Sequence, residues 1–252
     1  MGKVVVITGA SSGIGAELAI QLGRRGDRVV LAARRQHELQ QVAERAGRES
    51  LVVTADVTTR ADVERLRDRA IATFGHVDVW VNNAGRGITK AVLELTDEEF
   101  DSIMAVNVKS ALYGMQAIAA HMCERQQGQI INISSMLSRV PFATYRSAYN
   151  AAKHALNALT ANARVDLRAK CPGVHVTLVM PGLVTTDFGK NAIHGSPPPP
   201  QMGAQTAEEV AAVIVNVIDE PVAEIYTNPM HPALALRYYQ DVGAFESEQE
   251  RR

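Results

Sequence analysis

The chain has 252 residues, of which 46% are hydrophobic and 21% are charged, and this predicts one soluble domain with a large apolar core. Its formal net charge of −1 gives no electrostatic basis for binding nucleic acid or an anionic membrane. Cys123 and Cys171 lie far apart without the spacing of a metal site, which predicts reduced thiols, no metal and a cytoplasmic location. The first apolar run is too short for a signal peptide or a membrane span.

Short β-branched runs alternate with longer helical patterns, which is typical of a parallel sheet covered by helices on both faces. Strands are predicted at 4–8, 28–33, 51–55, 77–82, 129–134, 174–180 and 223–226. The longest predicted helix begins at a capping box formed by Thr96 and Glu99 and continues to about Cys123. Four prolines at 197–200 stiffen an irregular stretch at 187–206, which we interpret as a lid within a single domain spanning 1–252.

A glycine-rich turn follows the first predicted strand and reads Thr8-Gly9-Ala10-Ser11-Ser12-Gly13-Ile14-Gly15. Glycines permit a tight turn and close backbone approach, and the helix that follows offers unpaired amides to a phosphate. No lysine lies in the turn, so a dinucleotide or a methyl-donor cofactor is favoured over a nucleoside triphosphate. Packing of a strand end remains an alternative for the glycines taken alone.

Tyr149 and Lys153 lie four residues apart in an alanine-rich helical pattern, which places them on one helix face. An ammonium beside a phenol favours the phenolate, so we expect Lys153 to lower the pKa of Tyr149. Taken alone, this spacing also fits an ordinary surface pair of tyrosine and lysine.

The order of the motifs supplies the missing specificity. The glycine turn, Asn82-Asn83-Ala84-Gly85, Ser134-Ser135, the Tyr149/Lys153 pair and Pro181-Gly182 occur in the order seen in short-chain dehydrogenases/reductases, and residues 3–226 resemble that family. The resemblance implies an α/β, Rossmann-type doubly wound sheet of about seven strands in the order 3-2-1-4-5-6-7. It also implies a nicotinamide cofactor at the switch point of the sheet and activity as a carbonyl and alcohol oxidoreductase.

The resemblance assigns four catalytic residues: Asn107, Ser135, Tyr149 and Lys153. Tyr149 is the expected acid and base, the Ser135 hydroxyl binds the substrate oxygen, and Lys153 holds the nicotinamide ribose. Asn107 is expected to hold a water of a proton relay, although a satisfied core asparagine would also explain a polar residue on an apolar helix stripe. Ser134 is a weaker candidate than Ser135, and Ser138 stands where the family usually has a glycine.

The cofactor site implied by the resemblance combines several short segments. Asp56 is expected at the adenine amino group and Val57 beside it, although Asp56 would also serve as a helix cap. Val184 and Thr186 are expected at the nicotinamide carboxamide. The full predicted set is Gly9, Ser11, Ser12, Gly13, Ile14, Gly15, Arg34, Arg35, Asp56, Val57, Asn83, Ala84, Gly85, Tyr149, Lys153, Pro181, Gly182, Val184 and Thr186.

The end of the second predicted strand, Ala33-Arg34-Arg35, bears on the choice of cofactor. Sites selective for NAD usually place a carboxylate there, about 20 residues after the glycine turn, and Ala33 cannot bind the ribose hydroxyl. Two arginines at a helix start favour a bound anion, so we predict NADP(H) over NAD(H), with Arg34 as the principal contact to the 2′-phosphate. Two solvated arginines are the alternative.

A largely apolar pocket is predicted for a small carbonyl or alcohol substrate, because hydrophobic residues follow the motifs. Its expected lining is Met136, Leu137, Phe142, Tyr145, Leu183 and Phe188. Tyr145 has no cation four residues later, so it lacks the activating partner of Tyr149. The resemblance further implies a homodimer or homotetramer. A regulatory nucleotide-binding protein or a methyltransferase would share the glycine turn but would not need Ser135, Tyr149 and Lys153 together.

Overall fold

A computed structural model of the chain describes residues 2–195 and 203–250. The predicted stiff proline element at 197–200 lies outside these residues.

Seven parallel strands form one sheet in the order β3-β2-β1-β4-β5-β6-β9. They are β1 (Val4–Thr8), β2 (Arg28–Ala33), β3 (Ser50–Thr54), β4 (Val79–Asn82), β5 (Gly128–Ile133), β6 (Val174–Met180) and β9 (Glu224–Tyr226). Two short strands, β7 (Val184–Thr185) and β8 (Gln205–Thr206), pair with each other. The predicted order is confirmed, because β9 is the seventh strand of the main sheet. The carboxyl ends of β1 and β4 flank the switch point, where ligands bind in sheets of this type.

Helices cover both faces of the sheet. They are α1 (Gly13–Arg25), α2 (Gln36–Ala46), α3 (Arg60–Phe74), α4 (Asp97–Met104), α5 (Ser110–Glu124), α6 (Ser147–Lys170), α7 (Ala207–Asp219), α8 (His231–Gln240) and α9 (Val242–Glu250). Helices α1, α2 and α7 pack on one face and α3, α5 and α6 on the other, and each face has its own apolar core. Strand β1 is buried along its whole length, which explains its unbroken run of β-branched residues.

The single long helix predicted from the capping box is interrupted. The box itself is present: Glu99 donates its backbone N–H to Thr96 Oγ1 at 3.3 Å, and the Glu99 carboxylate accepts from the Thr96 N–H at 3.0 Å. The helix then passes through a π-helical turn, Ala105–Lys109, before α5 begins. Asn107 lies inside this turn. Such π-helical turns are frequent at functional sites.

The prediction of two reduced thiols is wrong for this structure. Cys123 and Cys171 form a disulfide, and their Cα atoms lie 5.2 Å apart. The two cysteines meet because α5 and α6 end at the same edge of the sheet, where β5 and β6 begin with Gly128 paired to Val174. A sequence separation of 48 residues does not reveal this convergence. The predicted cytoplasmic location therefore loses the support of the cysteines and stays a prediction.

Within the described part of the chain, no helix combines the length and apolar character that crossing a bilayer requires.

Candidate active site

The glycine turn between β1 and α1 is packed so closely that side chains are excluded. Gly9 has a φ of 67°, and a Cβ placed on it would lie 2.8 Å from the Cα of Ala84. A Cβ on Gly15 would lie 2.6 Å from the carbonyl oxygen of Gly9 and 2.5 Å from Nδ2 of Asn83. Non-bonded heavy atoms do not approach this closely, so the turn requires glycine at both positions.

The N-terminus of α1 faces the same turn. Its N-cap, Ser12, makes no side-chain capping bond, and the first turn of the helix carries no acidic residue. The backbone amides of Gly13, Ile14 and Gly15 donate no hydrogen bond to any group in 2–195 or 203–250. These amides and the positive end of the helix dipole form a site suited to a phosphate.

The loop after β4 is fastened to the end of β1. The backbone N–H groups of Asn83 and Ala84 donate to Thr8 Oγ1 at 3.0 and 3.1 Å. The Asn83 side chain donates to the Thr8 carbonyl oxygen at 2.9 Å. Asn82 instead points into the core, where it accepts from Trp80 Nε1 at 2.8 Å. Thr8 joins the two sides of the switch point, a role that its position in the sequence does not reveal.

Asp56 follows β3 and is held in a local turn. Its Oδ1 accepts from the Thr58 N–H at 3.0 Å and from the Thr58 hydroxyl at 2.7 Å. Helix α3 begins at Arg60 with Thr59 as its N-cap, so Asp56 does not cap that helix. Val57 beside it is buried. The adenine role of both residues stays a prediction.

Arg34 and Arg35 differ in their surroundings. Arg34 is exposed where β2 ends. Arg35 donates from Nη2 to Ser11 Oγ at 2.9 Å and to Ser12 Oγ at 2.8 Å, and its Nη1 lies 3.6 Å from Glu38. The end of β2 is thereby joined to the glycine turn by hydrogen bonds between side chains.

Asn107 fixes the loop after β4 from the other side. Its Nδ2 donates to the carbonyl oxygens of Arg86 at 2.9 Å and Ile103 at 3.0 Å, and its Oδ1 accepts from the Arg86 N–H at 3.3 Å. A Cβ placed on Gly85 would lie 2.9 Å from this Oδ1 and 3.7 Å from Lys153 Nζ. Asn107 is therefore a satisfied buried asparagine and also a neighbour of the predicted reaction centre.

Tyr149 and Lys153 are both buried on the same face of α6. Lys153 Nζ donates to the Ile133 carbonyl oxygen at 2.8 Å, and burial lowers the pKa of Lys153 to about 7. Burial raises the pKa of Tyr149 to about 12, against opposing contributions from the Ser135 hydroxyl and the Arg146 charge. The expected lowering of the Tyr149 pKa by Lys153 is not found here, because the loss of solvation outweighs the Ser135 hydrogen bond and the Arg146 charge.

Ser134 and Ser135 face different ways at the end of β5. Ser134 Oγ donates into the core to Asn157 Oδ1 at 2.6 Å. The Ser135 hydroxyl lies beside Tyr149 and accepts from the Leu137 N–H at 3.1 Å. This arrangement favours Ser135 over Ser134 as the group that meets the substrate oxygen.

Two residues that hold the loop after β5 were not assigned a role from the sequence. Ser138 donates its hydroxyl to the Ser135 carbonyl oxygen at 2.5 Å, and Asn157 Nδ2 donates to Ser138 Oγ at 2.8 Å. Asn157 lies four residues after Lys153, so it shares the face of α6 that carries Tyr149 and Lys153. This spacing from Lys153 could have identified Asn157 from the sequence. Ser138, where a glycine is usual, orients the backbone of Ser135.

The predicted pocket residues fall into two groups. Phe142, Tyr145, Leu183 and Phe188 are each at least 37% exposed, and the Phe188 ring packs edge-on against Tyr149 with centroids 5.4 Å apart. Leu137 packs against the apolar cluster that contains Tyr149. Met136 is buried, together with residues of α8 and α9, in a cluster formed by Met136, Val140, Ala235 and Phe245.

The turn after β6 is supported from two sides. The Pro181 carbonyl oxygen accepts from the Met136 N–H at 2.7 Å. A Cβ on Gly182 would lie 2.2 Å from Cε1 of His231 at the start of α8, so the imidazole occupies the space beside Gly182.

Val184 lies in β7, and a Cβ on Gly13 would lie 3.4 Å from Cγ2 of Thr186. Thr186 thus lies next to the glycine turn. No sequence signal pointed to His231.

The described first part of the predicted lid, 187–195, is attached to the loop after β4. The Ile193 N–H donates to the Gly87 carbonyl oxygen at 2.9 Å, and its own carbonyl oxygen accepts from the Thr89 N–H at 2.8 Å. His194 Nε2 lies 2.5 Å from Glu99 Oε1 at the start of α4. These contacts hold Phe188 near Tyr149.

Comparison with known proteins matches this arrangement of motifs. The model of the family described as short chain dehydrogenase matches residues 3–196. An uncharacterized oxidoreductase of Staphylococcus aureus is 35% identical over 233 residues, which cover 90% of this chain and 97% of that protein. A Burkholderia phymatum short-chain dehydrogenase/reductase solved in complex with NAD superposes with a TM-score of 0.87 at 27% identity, covering 96% of this chain and 95% of that chain. A Burkholderia cenocepacia short-chain dehydrogenase in complex with NADP gives a TM-score of 0.82 at 29% identity, with coverage of 98% and 97%. This chain belongs to the short-chain dehydrogenase/reductase family of oxidoreductases.

Proposed function

We propose that this protein is an NADP(H)-dependent oxidoreductase that interconverts a carbonyl and a secondary alcohol on a small, largely apolar substrate. The observation that carries the proposal is the placement of Tyr149 beside Ser135 and one helical turn from Lys153, at the sheet edge that also holds the glycine turn. A methyltransferase or a regulatory protein has no chemical use for this trio.

Tyr149 is the proposed proton donor in the reducing direction. With a pKa of about 12 its phenol is protonated at neutral pH, so it can transfer a proton to the substrate oxygen. The Ser135 hydroxyl would stabilise negative charge on that oxygen. The nicotinamide cofactor, when bound, supplies the hydride that reaches the carbonyl carbon. In the oxidising direction the phenolate form of Tyr149, whose proton would first pass to the Lys153 relay, accepts the alcohol proton instead.

Lys153 has two proposed tasks. Its ammonium group would bind the hydroxyls of the nicotinamide ribose. Since its pKa is about 7, it can also exchange a proton at neutral pH and return the phenol to its starting state. Asn107, in the π-helical turn near Lys153, would position a water in this relay.

A dinucleotide fits the residues at the switch point. The turn excludes side chains at Gly9 and Gly15, and the amides at the start of α1 have no acceptor within the described segments. Both features suit a pyrophosphate that lies against the backbone. Asp56 and Val57 would meet the adenine, and Val184 and Thr186 the carboxamide.

We assign NADP(H) over NAD(H) from the charge at the end of β2. Ala33 offers no carboxylate for a ribose hydroxyl, whereas Arg34, Arg35, Ser11 and Ser12 supply cationic and hydroxyl donors for a 2′-phosphate. The two Burkholderia structures hold NAD in one case and NADP in the other, so the family permits either cofactor. Arg34 is the proposed principal contact and Arg35 a second one.

We also propose a homodimer or homotetramer and a lid within 187–206. Helix α6 carries Ala155, Ala158, Ala161 and Ala163, of which Ala158 is exposed, and small residues allow close contact between helices of two subunits. Light scattering is expected to give a multiple of the chain mass of 27.3 kDa, and a value near 27.3 kDa would exclude the assembly.

The test combines binding with turnover. NADPH fluorescence is expected to change on mixing with the protein, and a panel of ketones and secondary alcohols is then followed by nicotinamide absorbance. Turnover supports the proposal. Binding without turnover of any member would favour the alternative, a non-catalytic nicotinamide-binding regulatory protein, and absence of binding would exclude both.

A further inference from the structure

Arg146 immediately precedes α6, three residues before Tyr149, and has no part in the chemistry proposed above. We infer that Arg146 anchors a carboxylate of the substrate, which makes the substrate an oxo acid or hydroxy acid with an apolar body. This inference rests on the proposed function and names the substrate class of the same site.

The guanidinium group of Arg146 lies next to the reaction centre. A Cβ placed on Gly87 would lie 3.0 Å from Arg146 Nη1 and equally 3.0 Å from Cε1 of Phe188. The Phe188 ring in turn packs against Tyr149 with centroids 5.4 Å apart. The Arg146 charge opposes in part the rise that burial causes in the pKa of Tyr149. The cation and the proton donor are therefore both close to the Phe188 ring.

Arg146 has an unused pair of hydrogen-bond donors. Nη1 donates to the Ile88 carbonyl oxygen at 3.3 Å and to Thr89 Oγ1 at 3.2 Å. Nε and Nη2 donate to no group in the described part of the chain, and neither atom is fully buried. They are consequently reachable by a ligand. This edge of a guanidinium has the geometry that binds a carboxylate through two parallel hydrogen bonds.

The charge of Arg146 lacks a counter-ion among the described side chains, which are those of 2–195 and 203–248. No carboxylate of these residues lies within 4.0 Å of it, whereas nearby Lys90 is paired with Glu99 at 3.0 Å. The guanidinium is partly buried over the Tyr145 ring. It lies at the N-terminus of α6, where the positive end of the helix dipole is unfavourable for a cation. An anionic ligand offsets both the lost solvation and this dipole.

The groups around Arg146 define the rest of the substrate. Phe188 and Tyr145 present exposed aromatic surface near the cation, so the carboxylate should be joined to an apolar body. Because Arg146 and Tyr149 both lie close to the Phe188 ring, we expect the carboxylate to lie a short distance from the reacting carbonyl.

The test uses matched acids and esters with the full-length protein. The probes are phenylglyoxylate and 4-oxo-4-phenylbutanoate, each compared with its methyl ester, in reduction by NADPH. The wild type is expected to prefer at least one acid over its ester by at least tenfold in kcat/KM. Arg146→Gln should remove this preference, chiefly by raising KM for the acid, while leaving KM for the ester unchanged within threefold. Arg168→Gln, an exposed cation in the last turn of α6, is the control and should retain the preference.

Several results would overturn the inference. Reaction of both esters as well as their acids in the wild type, or an Arg146→Gln change that slows acid and ester alike, would assign Arg146 a structural role only. Calorimetric binding of the same four probes to the Tyr149→Phe variant loaded with NADP⁺ gives a readout without turnover. Equal affinity for acid and ester there also excludes the anchor. Failure of the proposed function is distinct: no probe, ketone or alcohol is turned over although NADPH binds.

Discussion

Lys153 Nζ lies 5.6 Å from the centroid of the Tyr149 ring, one helical turn along α6. The ammonium nitrogen donates to the Ile133 carbonyl oxygen, and both side chains are buried. Because burial disfavours the charged form of each group, the pKa of Lys153 falls and that of Tyr149 rises. The pair is thus held in a state in which the tyrosine carries its proton at neutral pH.

Replacing Tyr149 by Phe is expected to abolish turnover and leave NADPH binding nearly intact, because only the hydroxyl is lost. Tyr145→Phe, at a half-exposed ring outside the Ser135 and Lys153 contacts, is the matched control and should lose far less activity. Steady-state kinetics and fluorescence titration measure the two effects. A Tyr149→Phe rate above about a tenth of the wild-type value, a barrier change under about 1.4 kcal/mol, would remove Tyr149 from the acid/base role.

The buried Lys153 is expected to make stability depend on pH. Its pKa is about 7 in the folded protein against 10.5 for a free lysine, so the unfolded chain binds more protons between these values. The free energy of unfolding should therefore rise from pH 7 to pH 9.5, by roughly 3 kcal/mol from this group. Lys153→Met keeps the volume and removes the titration, so its unfolding curve should rise less with pH.

Urea unfolding of the wild type and Lys153→Met at pH 7, 8 and 9.5 measures this difference. The range stops below pH 10, because the raised pKa of Tyr149 acts in the opposite direction at higher pH. Parallel pH dependence in the two proteins would mean that Lys153 keeps an ordinary pKa in the folded state.

Arg34→Ala is expected to weaken NADPH binding at least tenfold and leave NADH binding unmoved, because a charge-assisted contact to the 2′-phosphate is worth roughly 1.5 to 3 kcal/mol. Arg35→Ala should have a smaller effect, since Arg35 already bonds Ser11 and Ser12. The exposed Arg48 gives an Arg→Ala control away from the turn. Wild-type dissociation constants for NADPH and NADH within about threefold of each other, or an Arg34→Ala change that leaves their ratio unmoved, would contradict the assignment.

Reduction of the disulfide between Cys123 and Cys171 is expected to lower the melting temperature. Closing a loop of 48 residues stabilises the folded state by about 4 kcal/mol in the chain-entropy model, which corresponds to roughly 10 °C. Thermal unfolding with and without dithiothreitol tests this. The Cys123→Ser/Cys171→Ser double variant should have a lowered melting temperature that does not change when dithiothreitol is added. Two alkylatable thiols in the unfolded, unreduced wild type would show that the bond does not form in solution.

The amino-acid sequence alone determined those features whose cause is local. The buried strands have unbroken β-branched runs, the Thr96 and Glu99 capping box requires only a spacing of three, and Tyr149 and Lys153 share a face because a helix repeats every 3.6 residues. The glycine turn likewise marks the switch point, since the residues before and after it specify a strand and a helix. These relationships lie within a few residues of chain, so spacing suffices to predict them.

Tertiary structure decided whatever depends on burial or on contacts between distant segments. The pKa of Tyr149 is raised because packing removes water from the phenol, a loss that no spacing records. Cys123 and Cys171 meet because two helices end beside paired strands. Arg146 and Phe188, 42 residues apart in the chain, both lie beside Gly87 because the segment at 187–195 folds back onto the loop after β4. These contacts join segments that are far apart in the sequence, so spacing along the chain does not predict them. Only the folded arrangement brings these side chains together.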